Sequence, residues 1–143
     1  MRWTASILGA WAAIWMLTEL PRVLPVAWWF AAGEIHVEDA RRGECPRMTF
    51  ARDINGDFHA NWTVTLLRQG SSGAFYTYRT FRGSNDYRPG NALPDDLDLC
   101  WWVWSDTIDL IPGIYRVNTL WRLHVGVTVR DVRRTSNQFE VRP

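Results

Sequence analysis

The chain contains no lysine: all sixteen of its basic side chains are arginine, set against fifteen carboxylates for a formal charge of +1. With so little net charge, no global field draws the protein to nucleic acid or to an anionic surface, and no nucleic-acid partner is expected. Exclusive use of Arg fits either a GC-rich coding sequence or selection for bidentate carboxylate or phosphate contacts, and composition does not separate the two. Histidine is also scarce. His36, His59 and His124 show no ligand spacing such as His-x-x-x-His, so no metal site is expected, because zinc needs three or four convergent ligands. There is no Gly-x-Ser-x-Gly elbow, phosphate-binding loop or His-Glu-x-x-His, and therefore no expected cofactor or catalytic constellation. Repeats of fixed period and low-complexity tracts are absent as well. Asp53-Ile54-Asn55-Gly56-Asp57 lacks the spacing and the distant Glu of an EF-hand loop and reads as an Asn-Gly turn.

What the chain does have is tryptophan, ten in 143 residues, within a 47% hydrophobic composition that excludes disorder. Mean hydropathy is nevertheless −0.22, so the apolar residues are unevenly spread. They concentrate at the N-terminus. Trp3 to Leu17 carry no charge, Glu19 and Arg22 follow at a spacing that allows pairing on a helix, and Val23 to Gly33 form a second apolar run. Three arrangements are open: a signal anchor with interfacial aromatics, a cleaved signal peptide ending near Ala31-Ala32-Gly33, or a buried helix. Trp3, Ile7, Trp11, Ile14, Trp15 and Thr18 recur at helical spacing, but the opposite face is also apolar, which favours the anchor. The expected organisation is a membrane anchor over residues 1–33, a linker over 34–47 and a β domain over 48–143. The lipid bilayer is then the partner of residues 3–33. The protein is expected to be single-pass, with the β domain outside the cytoplasm.

The remainder reads as short strands. Met48 to Ile54 precedes the Asn-Gly turn. Phe58, Ala60, Trp62, Val64 and Leu66 alternate with His59, Asn61, Thr63 and Thr65, the period-two pattern of a half-buried strand. Gln69 to Gly73 is a hairpin loop, Ala74 to Phe81 its partner strand, and Arg82 to Asp96 a long irregular connection. Leu97 to Trp104 reads as a strand. Tyr115, Val117, Thr119, Trp121, Leu123 and Val125 alternate along another, with Val127 to Arg133 and Phe139 to Val141 closing the chain. Asn61-Trp62-Thr63 matches the glycosylation pattern inside a strand, where it carries no weight. Seven or eight short strands with frequent turns suit an antiparallel β-sandwich.

Pro112-Gly113-Ile114-Tyr115 and the closing Ser136-Asn137-Gln138-Phe139-Glu140-Val141 resemble the late strands of immunoglobulin-like domains. The resemblance implies two packed antiparallel sheets and a binding or spacer role. The cysteine placement departs from antibody-type domains, so their core disulfide does not transfer. An even cysteine count beside an export signal predicts instead a Cys45–Cys100 bridge; the alternative is two unpaired thiols.

The aromatic run Cys100-Trp101-Trp102-Val103-Trp104 exceeds what one core face needs. Read as a strand, Leu97, Leu99, Trp101 and Val103 face inward, while Trp102 and Trp104 face outward beside Asp106 as a candidate partner-binding patch. The expected function is a non-enzymatic, membrane-anchored interaction module with a protein partner at the envelope. Two alternatives stand beside it: a phage accessory protein for lysis or assembly, and a small carbohydrate-binding envelope protein.

Overall fold

A computed structural model of the protein describes residues 2–143, with side chains from residue 6 onward. The Trp3 position in the N-terminal periodicity lies outside the described side chains. Strands hold about half of the chain, so the fold is mainly β. Helix α1 (Arg2–Val23) is followed by a single 3-10 turn and then by β1 (Phe30–Val37), β2 (Ala40–Arg41) and β3 (Met48–Ile54). Strands β4 (Phe58–Gln69) and β5 (Phe75–Tyr87) form a long hairpin. A short helix α2 (Leu99–Trp102) precedes β6 (Gly113–Val125), β7 (Thr128–Thr135) and β8 (Phe139–Arg142).

The main sheet runs β2-β8-β6-β4-β5, with β7 also on β6. One edge of β6 is therefore shared: β8 pairs with Gly113–Tyr115 and β7 with Asn118–Val125. All pairs are antiparallel except the short β2–β8 contact. A separate β1–β3 pair covers the inner face of this sheet. Alternation dictates the packing. Ala60, Trp62, Val64 and Leu66 of β4 and Tyr115, Val117, Trp121 and Leu123 of β6 are all buried, and Phe30 and Phe50 descend on them from β1 and β3. Phe50 stacks on Trp121 with centroids 5.5 Å apart, and Phe30 meets the same ring edge-on at 5.2 Å. Asn137 joins the layers: its side-chain oxygen accepts from the Val37 amide at 2.8 Å, and its nitrogen donates to the Val37 carbonyl at 2.9 Å.

The domain begins earlier than the sequence suggests. Phe30 to Val37, divided in the sequence reading between an anchor and a linker, form β1, with Phe30, Ile35 and Val37 in the core. The last four residues of the apolar run, Phe30 to Gly33, thus belong to β1. The hairpin strand β5 continues to Tyr87, so the irregular connection expected from Arg82 starts only after it.

The expectation of a single-pass membrane protein is overturned: among the described residues, no helix is long and apolar enough to cross a membrane. The charge-free stretch of α1, Trp3 to Thr18, is sixteen residues. At 1.5 Å per residue it spans about 24 Å against a hydrocarbon core of about 30 Å. Arg2 precedes it, and Glu19, Pro21 and Arg22 interrupt the helix beyond it. Glu19 and Arg22 do pair, at 2.9 Å. The C-terminal end of α1 is held by Arg130 of β7, whose Nη1 donates to the carbonyls of Pro21, Arg22 and Leu24 at 3.0, 3.0 and 2.9 Å. These are end-of-helix carbonyls without intrahelical donors, and a cation there also opposes the negative end of the helix dipole.

Candidate ligand-binding cleft

Cys45 and Cys100 form a disulfide, with Cα atoms 5.6 Å apart. It ties the segment between β2 and β3 to α2. Cys45, Asp98 and Cys100 lie together, but both sulfurs are consumed by the bridge and offer no thiolate to a metal.

The segment predicted as a strand from Leu97 to Trp104 is instead centred on α2. Asp98 caps it, its carboxylate accepting from the Trp101 amide at 2.8 Å. The change of period from two to 3.6 exchanges the tryptophans. Trp102 points inward, 7% exposed, and its indole N–H donates to Thr119 Oγ1 at 3.0 Å. Trp101 and Trp104, three residues apart, stand outward at 44% and 64% exposure. Of the proposed patch, therefore, Trp104 is at the surface and Trp102 is in the core. Exposed Asp106 shares a shallow recess with Trp101, Trp104 and Ser105.

Trp104 ends the helical turn with φ = 55°, alone among described non-glycine residues in having a positive φ. Its amide donates to the Trp101 carbonyl at 3.1 Å, and the Ser105 amide donates to that of Cys100 at 3.0 Å. This position is usually glycine, because a β-carbon there crowds the backbone at a cost of about 1 kcal/mol. A large, solvent-facing aromatic held in that conformation marks the position for something other than stability.

On its other side Trp104 borders a half-open cleft of about 30 Å³. The walls are Trp62, Trp101, Trp104, Arg52, Asn85 and Tyr87, and Trp102, Thr119 and Trp121 form the floor. Trp62 and Trp104 are tilted rings with centroids 6.2 Å apart. Trp62 can lie flat across β5 because its partner there is Gly83; a β-carbon on Gly83 would fall 2.3 Å from the indole. Arg52 projects from β3 over the Tyr87 ring, its guanidinium carbon 5.5 Å from the centroid. Burial pushes the Arg52 guanidinium down in pKa, with the neighbouring Tyr87 acting in the opposite sense. Burial likewise pushes the Tyr87 phenol up.

Arg52, Asn85 and Tyr87 escaped the sequence reading. Asn85 and Tyr87 lay in the stretch assigned as irregular, although Phe81, Gly83, Asn85 and Tyr87 continue the period of the preceding strand. His59 and His124 are exposed, as expected, yet the register makes them direct cross-strand neighbours. His59 Nδ1 lies 2.8 Å from Asp86, and His124 Nε2 lies 3.1 Å from the Asn61 amide. They occupy the outer face of the sheet, away from the cleft.

No protein-family model, no curated protein and no solved structure matches the chain.

Proposed function

We propose that this protein is a non-catalytic binding module of immunoglobulin-like sandwich type that takes a saccharide on the Trp62–Trp101–Trp104 cleft. The sandwich reading is supported by the two antiparallel layers and by Tyr115, whose hydroxyl donates to the Ile111 carbonyl at 2.6 Å. A tyrosine near the start of a late strand bonding a few residues upstream is the tyrosine corner of such folds.

The observation that carries the binding reading is Trp104, exposed and held at positive φ beside two further indoles. Pyranose rings present flat C–H faces that pack on indole and hydroxyls that require short polar partners. Asn85, Tyr87 and Asp106 supply such partners at the margin of the aromatic surface. Ligand sites combine these elements, mostly apolar walls with a few placed polar groups. The polar side chains of the cleft lining are Arg52, Asn85, Tyr87 and Thr119, and the Asp106 carboxylate lies beside Trp104 in the adjoining recess.

The test is a glycan array and pull-down on insoluble polysaccharides with the full chain. Retention that is lost in Trp104→Ala and Trp101→Ala, with melting temperature preserved, supports the reading. Retention unaffected by both substitutions, or no retention on any glycan, refutes it.

A further inference from the structure

The polar equipment of the cleft is uneven. Arg52 is the one cation in its lining, and it has no counterion: the ion pairs among the described residues involve Arg22, His59, Arg122 and Arg142. Its Nε is buried without a hydrogen-bond partner. Among the described residues its one side-chain hydrogen bond is a long one, Nη2 to the Asn91 carbonyl at 3.5 Å. A guanidinium presents five donors in a fixed fork; with Nε buried, as it also is in Arg68 and Arg116, a ligand in the cleft meets Arg52 at its terminal nitrogens. The neighbouring Tyr87 ring supports the plane of the group through cation–π contact but offers no negative charge.

We propose that the cleft is selective for acidic saccharides, the ring stacking on Trp104 while a ring carboxylate pairs with Arg52. This rests on the saccharide reading above and adds the charge of the ligand to it. A carboxylate accepts two parallel N–H bonds from one guanidinium, matching the donors that the protein leaves open. Asn85, on the same wall, is placed to serve the hydroxyls next to that carboxylate. The all-Arg composition permits this geometry, which a lysine at position 52 would supply only as a point charge.

The experiment uses the full chain and matched ligand pairs: oligogalacturonate with its methyl ester, glucuronate oligomers with their methyl esters, and sialyl-lactose with its methyl ester. Calorimetry should show the acid of the best-bound pair about tenfold tighter than its ester, as expected for one charge-assisted pair. Arg52→Gln should abolish that preference, so that acid and ester bind alike. Arg52→Lys should retain part of the preference. Equal affinity for acid and ester, or a preference that survives Arg52→Gln, overturns the acidic assignment but leaves the saccharide reading intact. If no acid or ester binds and Trp104→Ala alters nothing, both are refuted.

Discussion

Replacing Gly83 by Ala adds a single methyl group, yet it addresses both the fold and the cleft. Gly83 sits between Trp62 and solvent on β5, in a row with Trp62 and Trp121 across three strands. The added carbon would lie 2.3, 2.6 and 3.0 Å from three atoms of the Trp62 indole. Ordinary contact begins near 3.4 Å, so the ring must withdraw by about 1 Å, and Trp62 is 6% exposed with little room to do so. Overpacking of this kind costs about 1–3 kcal/mol. Against it, Ala in place of Gly reduces the entropy of the unfolded chain by about 0.4–1 kcal/mol. The balance is a loss of about 1–2 kcal/mol, or a fall in Tm of roughly 3–6 °C for a chain of this size. Urea unfolding followed by far-UV circular dichroism reads the stability. The double variant with Trp62→Leu isolates the contact: with the indole gone, Gly83→Ala should be neutral or slightly stabilising. A Gly83→Ala protein that melts at or above the parent temperature would refute the assignment of Trp62 to the surface of Gly83, and with it the shape of the cleft wall.

Truncation of the two neighbouring tryptophans should separate core from surface: Trp102→Ala should cost about 3–5 kcal/mol, and Trp104→Ala less than about 1 kcal/mol, by equilibrium denaturation. Reducing the Cys45–Cys100 bridge removes a cross-link over 55 positions and should destabilise by about 4 kcal/mol in the chain-entropy model, seen as a lower Tm in the presence of dithiothreitol. Tyr115 is fully buried, and burial, reinforced by Tyr78 and opposed by Arg68, raises its phenol to about 12. Since the folded pKa lies above the unfolded value of about 10, the folded state favours the protonated phenol. Stability from this group should be complete below pH 10 and fall as pH rises towards 12, and Tyr115→Phe should flatten that decline in alkaline melts. Arg130→Ala removes three bonds to the end of α1 and should make the segment around Leu24 sensitive to limited proteolysis without unfolding the β domain.

Period-two alternation was enough to locate β4 and β6, and it sorted their side chains between core and solvent, because a half-buried strand must alternate. The disulfide partners followed from their number. Elsewhere the sequence was silent for physical reasons. The apolar run of six residues from Leu99 to Trp104 has no period that distinguishes strand from helix, and only the Asp98 cap, a bond to the backbone three residues on, resolves it. That one choice of period moved Trp102 into the core and brought Trp101 to the surface. At the N-terminus, an apolar helix and an apolar strand adjoin without a polar boundary, so β1 was hidden within the run assigned to an anchor. The charge state of the cleft was beyond any local pattern. Arg52 lies ten residues from Trp62 and more than thirty from Asn85, and its lack of a counterion is a property of everything packed around it. Local alternation determines which face of a strand is buried; which buried groups are left without partners is decided only when the sheets close on one another.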